Sequence, residues 1–522
     1  MAGVNAPATA VFAFFIVLVA VVGFFSGRWR SGDLGHIEEW GLAGRQFGTV
    51  VSWFLIGGDF YTAYTLIAVP ALVFGVGASG FFALVYTIIV YPFVFLVMPR
   101  LWNVSKRHNY VTLADFAQGR YGSHWLALAI AISGILATMP YIALQLVGMQ
   151  VSIAALGFGN TAWPLVAAFL ILAAFDYTSG MRAPATISLI KGVMVYGFVL
   201  AAVVWVPLKL GGYAHIFHVA ARTLALRPKP GFLILPHGQF TAFATLALGS
   251  ALAAFLYPHT ATSVLSSSSG TVIRRNAVLL PAYTFLLGLL ALLGYMAIAA
   301  GVSVHSTNDV VPALFLKLFP SWFAGFCFAA IAVGGLVPAA IMSIASSNLF
   351  TRNIYRPYLR PALGRAEEAR VAKLVSLLIK FGALAFVLWG NATYVINLQL
   401  LGGIWILQTL PAIVFGLFRR WFHPLALVVG WLAGMAVGTS MAWSQGIATL
   451  YPLHIAGFTF TAYAAIDALA LNLGLALLLT PLLRRLGFAS GHDQTQPADY
   501  EDPVPALAGA VALGAAPQRG GA

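Results

Sequence analysis

The residues best placed to do chemistry lie in one stretch, Leu55-Ile-Gly-Gly-Asp-Phe-Tyr-Thr-Ala-Tyr-Thr-Leu-Ile-Ala-Val-Pro70, where a Gly pair, an acid and a proline interrupt an apolar run. A carboxylate at the centre of a bilayer costs about 2.5–3.5 kcal/mol even on insertion scales, so Asp59 needs a compensating role. Glycine and proline free backbone groups from the helical ladder, and in lipid those groups must line a polar cavity or find partners inside the protein. The stretch reads as half of a solute site. The other half is expected at Ala254-Phe-Leu-Tyr-Pro-His-Thr260, which breaks a second apolar run and leads into Ser263-Val-Leu-Ser-Ser-Ser-Ser-Gly270. Positive half-helix ends and nearby hydroxyls suit a small polar or anionic solute.

Between the two breaks lie further polar groups inside apolar runs. Tyr141 and Gln145 are four apart and share a helix face, which suits either a cavity or interhelical packing bonds. Lys191 lies about two turns inside its span, where it either snorkels to the headgroups or meets the site. Lys380 and Asp467 read as structural pairing or snorkelling. His259 is alone in its span, so a structural hydrogen bond competes with a binding role. No His, Asp or Glu cluster has metal or nucleophile spacing, which argues against an enzyme and against a resident metal or cofactor. A single cysteine, Cys327, excludes an intramolecular disulfide.

The elements that position these groups follow from composition. The chain has 522 residues, 61% of them hydrophobic and only 8% charged, far below the roughly 25% charged of soluble domains. Apolar runs of about 20 residues, enough to cross a hydrocarbon core, recur thirteen times between residues 8 and 483. The predicted fold is therefore an all-α polytopic membrane protein. The net charge of +14 could suit nucleic acid, but its distribution points to topology instead. Of 28 Lys and Arg residues, 21 fall in loops after odd-numbered spans or in the tail, 5 fall after even-numbered spans, and Lys191 and Lys380 lie inside spans. This predicts an N-terminus outside and a C-terminus in the cytoplasm, with the lipid bilayer as the evident partner and no nucleic acid or obligate protein partner. The chargeless stretch before the first span predicts that this helix is retained rather than cleaved.

The two broken runs are offset by five helices, and interrupted helices at matching positions of two halves are the pattern of an inverted-repeat transporter. The expected organisation is an extra N-terminal helix and loop (1–45), a first repeat (46–210, helices 2–6), a second repeat (211–420, helices 7–11), two extra helices (421–486) and a disordered cytoplasmic tail (487–522). A short helix is expected around residues 109–121, at the interface, with Asp115 and Arg120 as an exposed pair.

Several motifs then resemble the sodium:solute symporter family: Gly44-Arg-Gln-Phe, the Gly-Asp break, Tyr177-Thr-Ser-Gly-Met-Arg-Ala, Tyr257-Pro-His-Thr, Leu349-Phe-Thr-Arg-Asn-Ile-Tyr355, Gln399, and Leu-Gln408-Thr-Leu-Pro. The combination with Val272-Ile-Arg-Arg-Asn-Ala and Leu279-Leu-Pro-Ala-Tyr looks most like the bacterial monocarboxylate permeases. The resemblance implies a five-plus-five inverted-repeat (LeuT-like) core and location in a bacterial-type inner membrane. It also implies uptake of lactate, pyruvate, propionate or a similar acid. Helices that line the family's central cavity carry Tyr61, Thr62, Thr65, Tyr141, Gln145, His259, Trp405 and Gln408, the candidate contacts.

The family's sodium site uses carbonyls of the broken second helix and two adjacent hydroxyl residues of the ninth. Counting back from Asn353, which stands where the family has Asp, the matching ninth-helix positions are Gly334, Val337 and Pro338. Ser188 stands at an acid and Lys191 at a glutamine of the sixth helix's signature. The first reading places the Lys191 ammonium at the vacated ion position, by the carbonyls of Gly57 and Gly58, with Asp59 or Lys191 exchanging a proton. The alternative binds sodium through Ser343, Ser346 and Ser347. Other solutes of the family, such as proline or pantothenate, and a transporter-like sensor or channel are the competing functions; the short tail, rich in Ala, Gly and Pro, argues against signalling.

Overall fold

The computed structural model describes residues 4–29, 32–159, 162–389, 395–455 and 457–502. Arg30 and Arg519 of the charge count lie outside them. Among the described residues ten helices are long and apolar enough to cross a membrane, two bent helix pairs also qualify, and Trp163–Ser179 is a shorter apolar helix. In chain order these are α1 (Ala6–Ser26), α2 (Thr49–Phe60 with Thr65–Val76), α3 (Ala78–His108), α4 (His124–Phe158), α5 (Trp163–Ser179), α6 (Arg182–Lys209) and α7 (His237–Ala254 with Pro258–Leu265). They continue with α8 (Gly270–Ala299), α9 (Ser321–Leu359), α10 (Arg365–Trp389), α11 (Leu398–Phe418), α12 (Pro424–Ser444) and α13 (Ala464–Arg485). Each falls on one of the thirteen apolar runs. Burial follows position: the apolar window of α9 is wholly inside the protein, whereas those of α1 and α13 are 22% buried, as lipid-facing outer helices should be.

Both expected breaks are present. The two halves of α2 bend by 56° and those of α7 by 48°. In α2 the ladder stops at Tyr61 (ψ 72°). In α7 the second half restarts at Pro258, with Tyr257 extended at ψ 136° before it; a proline at the first helical position loses no hydrogen bond. At the basic end the two broken helices are tied together, since Phe47 N–H donates to Ser266 and Ser268 N–H to Phe47. Arg45 closes the same end by donating to the carbonyls of Leu265 (3.1 Å) and Tyr110 (2.5 Å).

Three details differ from expectation. The helix Leu113–Tyr121 does form, but Asp115 and Arg120 are not an exposed pair. Asp115 accepts from the amides of Val111 and Thr112 and from Asn353, while buried Arg120 meets Asp493 at 2.7 Å. The tail is not disordered from residue 487 onward. Its acids find the basic end: Asp493 meets Arg120 and Arg420, Asp499 meets His108 and Arg107, and Asp502 meets Arg274. Composition averaged these acids with the Ala, Gly and Pro of residues 503–522, which lie outside the described residues. Finally, the loop between α12 and α13 holds a hairpin, β1 (Leu450–Ile455) paired antiparallel with β2 (Phe458–Tyr463).

Candidate solute site

The first break creates groups that need partners, and three neighbouring helices supply them. The freed amide of Ala63 donates to the Gln145 side chain of α4 at 2.9 Å. On α6, Lys191 reaches the carbonyl of Gly58 at 2.6 Å, a charge-assisted contact. From α9, Gly334 packs so closely that a Cβ there would stand 2.4 Å from Leu66 and 3.8 Å from the Tyr61 carbonyl. Gly334 is thus a ninth-helix residue that faces the break, and with no Cβ it leaves room for the Leu66 side chain. Ser343, Ser346 and Ser347 lie nine or more residues further along the helix, roughly 13 Å or more at 1.5 Å per residue. Ser343 and Ser347 return their hydroxyls to α9's own carbonyls, and only Ser346 lacks a partner.

A cavity of about 60 Å³ opens between the two breaks. Asp59 is on its wall, 4% exposed, and neither carboxylate oxygen has a hydrogen-bond partner. The Thr260 hydroxyl faces the carboxylate without completing a bond. Two more unpartnered polar atoms belong to residues of the same wall, Nδ1 of His259 and Oε1 of Gln399. The His259 ring stands edge-on to Tyr141 (5.5 Å) and tilted against Tyr257 (5.4 Å). The second half of α7 begins at this wall, so the first amides of that helix, at His259 and Thr260, have no intrahelical acceptor and present the positive end of its dipole. Aromatic side chains complete the enclosure. Beyond Phe82 and Leu400, which line both spaces, lies a wider opening of about 670 Å³ at the end opposite the arginines, edged by Thr449, Leu450 and Thr461 of the hairpin region.

The expected residues divide clearly. Asp59, Tyr141 and His259 share the cavity. Thr62 lies beside it, its hydroxyl 3.4 Å from that of Tyr141. Gly57 and Gly58 lie against Tyr283 and the Ser188–Lys191 face, and the Ser188 hydroxyl returns to its own helix at Ala185. Tyr61 points away to the Tyr283 carbonyl (2.5 Å), Thr65 bonds back to Thr62, and Gln145 is a cap for the break rather than a cavity residue. Trp405 and Gln408 are turned to the outer helices, where Trp405 donates to Thr439 of α12 and Gln408 is bound by Asn472 of α13. Their helix was placed correctly and its rotation was not. Tyr257, Tyr86, Gln399 and Tyr463 reach the cavity without having been singled out as contacts. Tyr257 had a usable signal, its place directly before the helix-restarting proline.

A helical membrane protein with two interrupted helices, and a small polar cavity held between them, is a solute transporter. The chain belongs to the sodium:solute symporter family, whose model matches residues 40–438. It is 55% identical over 482 residues, 92% of this chain and 98% of the relative, to a monocarboxylate transport permease protein of Rhizobium johnstonii. It is 34% identical over 446 residues, 83% of this chain and 87% of the relative, to the uncharacterized symporter YodF of Bacillus subtilis. Among solved structures, it resembles a substrate-bound, outward-open Na+-coupled sialic acid symporter, with a TM-score of 0.75 at 15% identity over 91% of this chain and 98% of that one. A TM-score of 0.55 at 12% identity, over 88% and 98%, relates it to the nucleobase-cation symporter Mhp1. These likenesses carry the fold, which is LeuT-like, as the motifs implied.

Proposed function

We propose that the protein takes up short monocarboxylates such as lactate, pyruvate or propionate, and that a proton gradient drives it, with Lys191 and Asp59 standing where relatives bind sodium. The observation that carries the coupling is the Lys191 ammonium on the Gly58 carbonyl at 2.6 Å, opposite Gly334. A fixed cation there neutralises carbonyls that would otherwise call for a mobile one, and α9 offers no hydroxyl at Gly334, Val337 or Pro338. For the solute, support comes from the 55% identical permease and from the positive end of α7 at a cavity that suits a small acid. The charge asymmetry supports an orientation with the arginine-rich end in the cytoplasm and the hairpin outside.

The test is lactate uptake into proteoliposomes under a pH gradient without sodium, then under a sodium gradient without a pH gradient. Accumulation in the first condition is expected. Accumulation in the second alone would return the protein to sodium symport, with the Ser343–Ser347 segment as the place to look. No uptake of any short acid, alongside uptake of proline or pantothenate, would overturn the solute.

A further inference from the structure

We propose that Asp59 carries the coupled proton, and that it does so as one partner of a carboxylic acid–carboxylate hydrogen bond with the solute. The inference rests on the monocarboxylate reading above and goes further by naming the proton site and its bond.

The cavity presents an anionic solute with one favourable and one unfavourable surface. The free amides at His259 and Thr260 attract a carboxylate. Asp59, on the wall of the same small space, repels it. Two carboxylates sharing a buried site do not both ionise, so a solute anion enters with a proton or not at all. The proton has one evident position. Both Asp59 oxygens lack a partner, and a protonated Asp59 becomes a donor aimed into the cavity.

The charged and titratable groups that face Asp59 leave this assignment intact. They are Lys191 from α6, His259 and Tyr257 from α7, Tyr86 from α3, Tyr141 from α4, Tyr283 from α8 and Tyr463 from β2. Lys191 is the one lysine or arginine among them, and its Nζ is directed to the Gly58 carbonyl instead of forming an ion pair with Asp59. His259 is packed between two aromatic rings. Lys191 therefore acts as a fixed charge and Asp59 as the exchangeable one.

The balance is simple. One proton from the side of higher acidity binds Asp59 as one solute anion binds the α7 terminus, the acid donates to the anion, and both leave together on the other side. No net charge moves. A neutral amide at position 59 still donates to a carboxylate but cannot carry a proton.

The experiment uses the full-length protein, with lactate as the probe. For the wild type, lactate affinity should fall about tenfold per pH unit once Asp59 deprotonates in the empty carrier, and transport on a solid-supported membrane should give no current. For Asp59→Asn, affinity should be independent of pH from 6 to 9, accumulation under a pH gradient should vanish, and lactate entry should now carry a negative current. A pH-independent affinity in the wild type, or an Asp59→Asn carrier that still accumulates lactate without current, would overturn the assignment. The wild-type measurement stands alone should the variant fail to fold. Failure of the underlying reading looks different: the wild type would bind no lactate at any pH.

Discussion

Among the described residues, the interior holds two lysine–aspartate couples of the same composition and opposite construction. Lys380 on α10 is in direct contact with Asp176 on α5, with Ser376 as a third partner at 2.8 Å, and both charges are buried. Lys191 on α6 and Asp59 on α2 are equally buried but not in contact; the lysine takes a backbone carbonyl and the acid is left open to a cavity. A closed pair spends its charge on holding two helices together. An open couple keeps one charge available to something that enters and leaves. On the function proposed above, the same two residue types serve as a fastening in one place and as a site in the other, and the difference lies in what lies between them.

The largest expected effect comes from breaking the closed pair. Lys380→Met leaves Asp176 charged and alone, which costs about 3–5 kcal/mol, so the variant should lose most of its thermal stability in detergent. Pairing it with Asp176→Leu should restore much of that stability and leave lactate uptake near wild type. Failure of the double variant to transport despite folding would show that the closed pair does more than fasten.

Next is the open couple. Lys191→Met removes a charge-assisted bond worth about 1.5–3 kcal/mol and leaves the Gly58 carbonyl with the Tyr61 amide alone. Uptake should drop at least about tenfold, while the dependence of lactate affinity on pH, set by Asp59, should persist. Loss of that dependence instead would make Lys191 the exchanging group and collapse the distinction drawn between fixed and exchangeable charge.

The smallest effect is expected where Asp499 of the tail meets His108, the last residue of α3, at 2.8 Å. Partial burial pushes the Asp499 carboxyl up, but the His108 bond, the Gln496 amide and the Arg107 charge outweigh it and hold the group below its ordinary value of 3.8. A depressed carboxyl stabilises the folded state above its ordinary value and loses that contribution as pH falls through the lowered one. Protease trimming of the tail should therefore be unchanged from pH 7 to 5 and accelerate only below about pH 4. Acceleration already near pH 6 would show that the Asp499 carboxylate does not set the docking of the tail.

How far these regions were legible in the sequence depends on the range of the interactions. Apolar run length and Pro258 act locally, so the spans and the second interruption could be read directly, while Gly57 and Gly58 lie in the last helical turn before the first interruption at Tyr61. Asp59 and Lys191 stood out because a charge in lipid needs a reason. The rotation of a helix is a tertiary property, and Trp405 and Gln408 illustrate the cost of not knowing it: α11 presents Gln399, Leu400 and Gly403 to the cavity and those two residues to α12 and α13. The union of Asp176 with Lys380, 204 residues apart, leaves no local trace either. The hairpin left one that was passed over, the alternation in Phe458-Thr-Phe-Thr-Ala-Tyr463 behind Gly457, whose φ of 83° suits a tight turn.

The docked tail has a consequence for how the protein is made. Asp499 bonds His108 across 391 positions, Asp502 bonds Asn103 across 399, and Asp493 reaches Arg120 across 373. The ends of α3 and the helix Leu113–Tyr121 are made early in synthesis and wait, with their arginines uncovered, until residues 493–502 have been made. A nascent chain arrested before residue 493 would hold every spanning helix and still lack its finished basic face.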